Sequence, residues 1–174
     1  IIQQARGHGS LTYRARSKAY KFRVGYPIGE GKATVIDIIN SPAHYAPLAK
    51  ILFQGKIFYN MAGEGLIAGQ VIELGKLGIG NIVQLKEIPI GTKIFNIESR
   101  VNDGGKIIRT SGSNALVVGK RKGKVSVLLP SKQTKDFNEK CRATIGIVAG
   151  SGRKDKPIVK AGKQHHMMLS RGKR

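Results

Sequence analysis

Cysteine and tryptophan are the residues that this sequence most clearly lacks, with one Cys and no Trp among 174 residues. The single Cys141 cannot form an internal disulfide, which argues against a disulfide-rich secreted domain and favours a reducing compartment. No apolar run reaches the roughly 18 residues that a membrane-spanning helix needs. Arg6, Arg14 and Arg16 near the start are followed by no apolar stretch, so we predict no signal peptide.

Acidic residues are also scarce: 10 Asp and Glu face 31 Lys and Arg, which leaves a formal net charge of +21. An ordinary soluble enzyme rarely carries such an excess, because charge of one sign repels itself in a compact fold. Nucleic acid is the favoured polyanionic partner, since each neutralised phosphate releases a counterion. Binding to a membrane surface would need a helix with a large apolar face, and no window of the sequence predicts one.

The positive charge is concentrated at the two ends of the chain. Residues 1–32 carry seven Lys or Arg and one acid, residues 33–105 carry six of each, and residues 106–174 carry eighteen against three. This segregation predicts a near-neutral folded body with basic ends that bind a polyanion.

The N-terminal end alternates basic side chains with small or aromatic ones between residues 6 and 23, and it offers no apolar face to a core. We predict an extended arm that becomes ordered on RNA, with Tyr13, Tyr20 and Phe22 stacked on bases and the arginines on phosphates. The alternative interpretation is a solvated tail.

The middle of the chain has short apolar runs separated by turn residues about every ten positions, which is typical of a small barrel or sandwich. The predicted strands cover residues 33–40, 48–53, 56–59, 71–74, 81–85, 93–97, 115–118 and 124–129. Residues 141–146 also resemble a buried strand, in which Cys141 is a small core residue. Two small barrels in series, with a seam near Ile88-Pro89, account for this spacing, and no long amphipathic helix is predicted.

A predicted hairpin loop over residues 119–123 carries Lys120, Arg121 and Lys122. Adjacent cations repel one another, and contact with phosphate would offset the repulsion. The alternative interpretation is a solvated loop tip.

The glycine-rich and histidine-bearing segments do not form a catalytic or metal site. Gly31-Lys32 would end a phosphate-binding loop, but Tyr26 stands where the first glycine is needed and Ala33 where Ser or Thr would ligate magnesium. One Cys and four scattered His do not make a zinc site. We therefore predict no catalytic residues, no metal ligands and no cofactor.

The second half of the chain carries a series of recognisable runs. They are PIGT at 89–92, NIE at 96–98, GGKIIRTSG at 104–112, LPS at 129–131, CRATIG at 141–146 and DKPIVKAG at 155–162. In this order and at these spacings they closely resemble the universal large-subunit ribosomal protein L two family, over nearly the whole chain. The arm and the GRKDKP run at 152–157 resemble its archaeal and eukaryotic branch, the archaeal more closely.

The resemblance implies a mainly β fold, with an OB-fold barrel followed by an SH3-like barrel and extended basic N- and C-terminal segments. The expected divisions are a basic N-terminal extension at 1–32, the OB-fold barrel at 33–87, the SH3-like barrel at 88–152 and a basic C-terminal tail at 153–174.

The resemblance also implies a function. The chain is expected to be a non-enzymatic structural constituent of the large ribosomal subunit in the cytoplasm, where it supports subunit association and the peptidyl-transferase region. Its expected partners are large-subunit rRNA, neighbouring ribosomal proteins and the small subunit across the interface, with no membrane and no small-molecule substrate. No cofactor is expected, and Mg²⁺ only as part of the surrounding rRNA.

The chain departs from the family pattern in three places. His44 stands where the family usually has an arginine, and Lys132 follows Leu-Pro-Ser where a glycine is common. The family also continues past the position of Arg174 into a loop that bears glycine and histidine and approaches the catalytic centre. No residue of this chain is therefore expected to take that loop's role.

The expected RNA-binding residues, most of which should contact phosphate and read shape rather than base sequence, form three groups. The arm supplies Arg6, His8, Tyr13, Arg14, Arg16, Lys18, Lys21 and Arg23. The barrels supply His44, Lys106, Arg109, Ser111, Gly112, Ser113, Lys120, Arg121, Lys122 and Arg142. The tail supplies Arg153, Lys154, Lys156, Lys160, Lys163, His165, His166 and Arg171.

Three other classes of protein compete with this interpretation. A basic architectural DNA- or RNA-binding protein outside the ribosome has the same composition, and preference for A-form RNA over DNA would separate the two. An enzyme acting on nucleic acid would need convergent acids or a metal site. A secreted cationic protein would need a signal segment and paired cysteines.

Overall fold

The computed structural model describes residues 19, 21–42, 44–152, 155–170 and 172, with backbone only at residue 170. This part of the chain forms ten β-strands and one short α-helix. The mainly β fold class that the turn spacing predicted is confirmed.

The first half of the chain forms five strands, which are β1 (Gly31–Ile39), β2 (Leu48–Phe53), β3 (Lys56–Met61), β4 (Val71–Leu74) and β5 (Ile82–Gln84). Alternation of buried and exposed residues drives β1, where Ala33 and Val35 face the core while Thr34 between them is exposed. β2 and β3 form a hairpin around Gln54-Gly55, both of which have positive φ. Such turns match the twist of the two strands they join.

The second half forms the strands β6 (Lys93–Phe95), β7 (Ala115–Arg121), β8 (Lys124–Leu128), β9 (Thr134–Asn138) and β10 (Arg142–Ile145). All ten strands join in one sheet in the order β3-β2-β1-β4-β5-β10-β6-β7-β8-β9. β10 lies between β5 and β6 and pairs antiparallel with both. The last strand in sequence thus closes the connection between the two halves.

Two hydrophobic cores lie within this sheet, in agreement with two small barrels. The first core is built from Tyr26, Ala33, Val35, Ala49, Ile51, Phe53, Ala62, Ile72, Leu74 and Ile82. The second is built from Val83, Leu85, Ile88, Ile94, Ile97, Ala115, Val117, Val125, Val127, Phe137, Cys141, Ala143 and Ile145. Val83 and Leu85 thus pack with the residues that follow them, and Cys141 is the small core residue that the sequence predicted.

A third buried cluster joins the two cores. It combines Val24, Ala46, Leu48 and Met61 with Phe95 and Val148 from the second half. Burial of large side chains from both halves in one cluster stabilises them against each other. Side chains at this junction are therefore packed against residues of both halves.

Three local predictions from the sequence were wrong or incomplete. The hairpin loop between β7 and β8 is shorter than residues 119–123, because β7 continues through Arg121 and only Lys122-Gly123 form the turn. β9 was missed because Phe137 is its one buried residue, so it has no apolar period. The helix α1 (Ala161–Ser170) was missed within the predicted tail, because its residues are mostly exposed and it has no strong apolar face.

Among the described residues, no Cα atom of the helix α1 lies within 8 Å of a Cα atom of any strand. Within the described part of the chain, no helix is both long enough and apolar enough to cross a membrane.

Candidate nucleic-acid interface

An open groove of about 820 Å³ brings together predicted residues of the second half. Five of its lining residues are predicted RNA contacts, namely Lys106, Arg109, Ser111, Gly112 and Ser113. Ser151, Gly152 and Asp155 line the same groove. The groove is thus lined by cations, hydroxyl groups and backbone, the groups that bind phosphate and ribose.

The loop before the groove is shaped by two glycines and an aspartate. Gly104 and Gly105 both have positive φ, and a β-carbon at Gly105 would lie 2.5 Å from the carbonyl oxygen of Asn96. Asp103 accepts hydrogen bonds from Ser99 and from the backbone of Arg100 and Gly105. Burial raises the pKa of Asp103, but these hydrogen bonds outweigh it, and the net pKa lies below its usual value.

Arg109 is placed by the strand-like segment that precedes it. Ile97 and Ile107 form an isolated bridge, and the backbone N–H of Asn96 donates to the carbonyl of Ile108 at 2.9 Å. Ile108 has a φ of +60°, a conformation that is strained for a β-branched residue. Strained backbone of this kind persists where the surroundings enforce it, and it is concentrated at functional sites.

The serine turn of the groove packs on the chain that follows β10. The N–H of Gly112 donates to the carbonyl of Val148 at 3.0 Å, and the N–H of Val148 donates to the carbonyl of Ser113 at 3.1 Å. Gly112 has positive φ, and a β-carbon there would lie 2.9 Å from the Cα of Ser151. Gly112 is therefore required by close packing within the protein itself.

A loop of the first half adjoins the groove. The hydroxyl of Ser111 donates to the carbonyl of Tyr45 at 3.3 Å. His44, one residue before Tyr45, has its Nδ1 2.8 Å from the hydroxyl of Ser41. Burial, and secondarily the positive charge of Arg109, lowers the pKa of His44 below its usual value. The loop that carries His44 thus lies against the serine turn that follows Arg109, although the two come from different halves of the chain.

Arg109 is half-buried, and its guanidinium is held from within the protein. Its Nε donates to the Oδ1 of Asn96 at 2.8 Å, and its Nη2 donates to the carbonyl of Gly105. Burial lowers the pKa of Arg109, and the nearby Tyr26 and Asp103 partly restore it. A guanidinium has five N–H groups, so these two bonds leave others for a ligand in the groove.

Four buried side chains beneath Arg109 form a closed hydrogen-bonded ring. Asn96 Nδ2 donates to Asn60 Oδ1 at 2.7 Å, and Asn60 Nδ2 donates to Thr144 Oγ1 at 3.1 Å. The hydroxyls of Thr144 and Tyr26 lie 2.7 Å apart, and Tyr26 donates to the carbonyl of Asn96 at 2.6 Å. Burial raises the pKa of Tyr26 far above its usual value, so it stays a donor.

The buried polar residues of the ring, and the buried Glu98 near it in sequence, were not predicted as part of the site. Asn96 and Glu98 alternate with Phe95 and Ile97, and all four are fully buried. Polar residues inside an apolar run were the available signal, because a buried amide or carboxylate needs partners. Asn60 and Thr144 lie far from Asn96 in sequence and gave no such signal.

Arg142 is placed differently from the other predicted cations. Its Nη2 and Nε donate to Oε1 of the fully buried Glu98 at 2.8 and 3.1 Å, and its side chain is 13% exposed. Its Nη1 donates to the carbonyl of Pro27 at 2.5 Å, and the guanidinium lies 5.4 Å from the ring centre of Tyr26. The structure therefore gives Arg142 an internal role.

The remaining predicted cations lie on exposed surfaces outside the groove. Lys120, Arg121 and Lys122 are exposed at the end of the β7–β8 hairpin, where Lys120 Nζ donates to the carbonyl of Lys86 at 2.6 Å. In the predicted tail, the exposed residues are Lys156, Lys160, Lys163, His165 and His166, the last three on α1.

At the N-terminal end, Lys21 and Arg23 are exposed on either side of Phe22, whose ring packs against Tyr59. The tyrosine Tyr20 and the predicted contacts Arg6, His8, Tyr13, Arg14, Arg16, Lys18, Arg153, Lys154 and Arg171 lie outside the described residues.

Most of the described positive charge is not neutralised by carboxylates. In the described ranges the ion pairs within 4.0 Å are Lys76–Glu73, Lys86–Glu87, Lys106–Asp103 and Arg142–Glu98. The hairpin cations and the tail lysines belong to none of them. In the same ranges no group of three or more His, Cys, Asp or Glu is placed to hold a metal ion.

A two-core β body with exposed, unpaired cations defines a basic β protein of the nucleic-acid-binding class. Residues 78–174 match the family model described as Ribosomal Proteins L2, C-terminal domain. The large ribosomal subunit proteins uL2 of Methanocorpusculum labreanum and Methanospirillum hungatei are each 46% identical to the chain, over 97% of it and 74% of their own length. The uL2 of Pyrobaculum aerophilum is 45% identical, over 95% of the chain and 71% of its own length.

The chain belongs to the uL2 family of large ribosomal subunit proteins. The resemblance stated from the sequence runs is thereby confirmed, including its archaeal character.

Proposed function

We propose that this chain is a structural constituent of the large ribosomal subunit and that it binds large-subunit rRNA through the groove, the β7–β8 hairpin and the basic ends. Membership of the uL2 family across nearly the whole chain is the observation that carries the proposal. A structural role in the ribosome follows from that membership. The groove adds a physical reason, because it gathers five predicted contacts of the second half at one place.

The groove suits the backbone of RNA. Lys106 and Arg109 supply positive charge, and Arg109 binds phosphate with a geometry that is already fixed by Asn96 and Gly105. The hydroxyls of Ser111 and Ser113 line the same groove and suit the 2′-hydroxyl and phosphate groups of an A-form helix. Contacts of this kind read shape and backbone, with little reading of base sequence.

His44, on the loop that adjoins the groove, offers a contact whose charge can change when a ligand binds. Its pKa is lowered in the isolated chain, so at neutral pH it is largely uncharged and acts as a polar contact. A phosphate brought next to it would favour the protonated form. His44 can thereby replace the arginine that the family commonly has at this place without adding permanent charge beside Arg109.

The proposal also names the partners of the chain within the ribosome. They are neighbouring ribosomal proteins and the small subunit across the interface, in cytoplasmic ribosomes, with support of subunit association and of the peptidyl-transferase region. The role is structural rather than enzymatic, and the site needs no cofactor, because its side chains supply charge and hydrogen bonds rather than a nucleophile.

Co-sedimentation tests the proposal directly. A tagged full chain, expressed in cells of an archaeon that has a uL2 of its own, should migrate with the large subunit in sucrose gradients and stay there in high salt. A Lys106→Gln/Arg109→Gln chain should be depleted from that fraction, whereas Lys50→Gln/Lys56→Gln, with the same loss of charge in the near-neutral body, should not. A wild-type chain that remains at the top of the gradient contradicts the proposal.

The main alternative is an architectural protein that binds DNA. Competition between an A-form RNA duplex and a DNA duplex of the same length separates the two. We expect the RNA to displace bound rRNA at the lower concentration. An equal or better competition by DNA favours the alternative.

A further inference from the structure

We infer that Asn60, a buried residue of the first half that does not line this groove, is a positioning residue for Arg109. It sets the orientation of the Asn96 amide, and that amide fixes the guanidinium that faces rRNA. The inference rests on the proposed function of the groove and adds to it a residue on strand β3. Asn60 is 2% exposed, so any effect on RNA must pass through other residues.

The orientation of Asn60 is fixed by the backbone. The N–H of Met61 donates to Asn60 Oδ1 at 2.8 Å, and a backbone N–H cannot act as an acceptor. Rotating the amide of Asn60 by half a turn would place its own N–H₂ against that donor. Asn60 must therefore present Oδ1 on this side and Nδ2 to Thr144, where the distance is 3.1 Å.

The orientation of Asn60 determines that of Asn96. Asn60 Oδ1 has a second lone pair, which accepts from Asn96 Nδ2 at 2.7 Å. With Nδ2 used in this way, Asn96 must turn Oδ1 outward, where it accepts from Arg109 Nε at 2.8 Å. The opposite orientation would set two acceptor oxygens against each other at Asn60 and two donors against each other at Arg109.

The rest of the ring closes without conflict. Tyr26 has a single O–H, which donates to the carbonyl of Asn96 at 2.6 Å. Thr144 must then donate to Tyr26, at 2.7 Å, while it accepts from Asn60. Every donor thus meets an acceptor, and no buried side-chain polar atom of the described residues is left without a partner.

The backbone of Asn96 and Gly105 holds this arrangement in place. Asn96 has a φ of +47°, which asparagine tolerates better than most residues. A β-carbon at Gly105 would lie 2.6 Å from Asn96 Oδ1, so Gly105 permits the amide to sit where Arg109 needs it. The path from Met61 N–H through Asn60 and Asn96 to Arg109 therefore crosses from the first half of the chain to the second.

A double-mutant cycle tests the inference. The full chain carries Asn60→Leu, Arg109→Ala or both, and its affinity for large-subunit rRNA transcribed in vitro is measured by filter binding. Asn60→Leu should weaken binding about three- to tenfold when Arg109 is present and leave it unchanged when Arg109 is Ala, because coupled residues do not add. An equal loss in both backgrounds, or no loss in the first, would overturn the inference.

Thr144→Val is the matched control for a general loss of stability in the hydrogen-bonded ring. It removes a hydrogen bond from the same ring but leaves the path from Met61 N–H to Arg109 intact. We expect a lower temperature of thermal unfolding, because a buried hydrogen bond is lost. We expect the affinity for rRNA to stay within about twofold of the wild type, because the orientation of Arg109 is unchanged. A loss of affinity as large as that of Asn60→Leu would show a general packing effect and overturn the inference.

The remaining outcomes separate the role of Asn60 from that of the groove. If Asn60→Leu does not fold, Asn96→Gly takes its place with the same expected results, because it keeps the positive φ and removes the amide. If Arg109→Ala leaves affinity unchanged, the proposed groove is wrong and the inference fails with it. If Arg109→Ala weakens binding but the Asn60 and Asn96 variants do not, the groove stands and only the inference fails.

Discussion

Glu98 and Arg142 form the most buried ion pair of the described chain. The Glu98 carboxylate accepts from the Arg142 side chain and also from the backbone N–H groups of Asn102, Gly104 and Arg142. Removing one partner of such a pair leaves a buried charge without compensation, which is far worse than losing an exposed ion pair. The pair ties the loop before the groove to strand β10.

Arg142→Met tests whether this arginine acts inside the protein. We expect the free energy of unfolding, measured in urea, to fall by about 3–5 kcal/mol, because Glu98 remains buried. Arg121→Met, at an exposed arginine, should change it by less than about 0.5 kcal/mol. If Arg142→Met unfolds like the wild type and instead loses rRNA affinity, the predicted RNA contact at Arg142 is correct.

Among the described residues, the β7–β8 hairpin presents four exposed cations within five positions. β7 and β8 pair from Leu116↔Leu128 to Arg121↔Lys124, with an irregularity between Val117 and Gly119. Lys120, Arg121, Lys122 and Lys124 therefore follow one another around a two-residue turn. Their mutual repulsion is modest in water, so the hairpin tolerates them without RNA.

Replacing three of these cations tests the element. Lys120→Gln/Arg121→Gln/Lys122→Gln should make the dependence of log affinity for rRNA on log salt shallower by about 2 to 3 units, since each phosphate contact contributes about 0.7 to 0.9. Lys50→Gln/Lys56→Gln/Lys76→Gln removes the same charge from the near-neutral body and should leave the slope unchanged. Equal changes in the two variants would mean that only net charge matters and that the hairpin is a solvated tip.

The helix α1 and strand β9 show how an element escapes sequence-based prediction. Both are largely exposed, so neither has the apolar period that reveals a helix or strand. β9 forms because all five of its residues pair with β8. α1 has ten residues, most of them exposed, and helices of this length draw little stability from their own hydrogen bonds.

Charge at the scale of the whole molecule explains why the protein needs a polyanion. The net charge of +21 is carried by the two ends, while residues 33–105 are balanced. Self-repulsion of this size opposes a compact state, and bound phosphate or added salt relieves it. Strands β7 to β10 and most of the second core lie within the basic residues 106–174, so much of this charge belongs to the folded body rather than to extended ends.

The dependence of rRNA affinity on salt tests the molecule as a whole. About ten phosphate contacts at roughly 0.7 to 0.9 log units each give a slope near −7 to −9 in log affinity against log salt. Filter binding of the full chain at several salt concentrations measures it. A slope shallower than about −2 would contradict a mainly electrostatic interface.

The sequence by itself determined the charge distribution, the family and most strands. β2 and β4 were predicted at their observed bounds, because a strand with one buried face leaves an alternating pattern that glycine and proline turns delimit. It also singled out Lys106, Arg109 and the serine turn, since a local run of basic, small and hydroxyl residues is visible without a structure.

Only the tertiary structure decided which side chains meet. It set Arg142 against Glu98, brought the loop of His44 against the serine turn and joined Tyr26, Asn60, Asn96 and Thr144 in one ring. The physical reason is that the pattern along a strand shows which side chains are buried, but not which distant residues they contact. Hydrogen-bond partners are chosen by the pairing of strands far apart in the chain, and that pairing appears only when the two cores fold together.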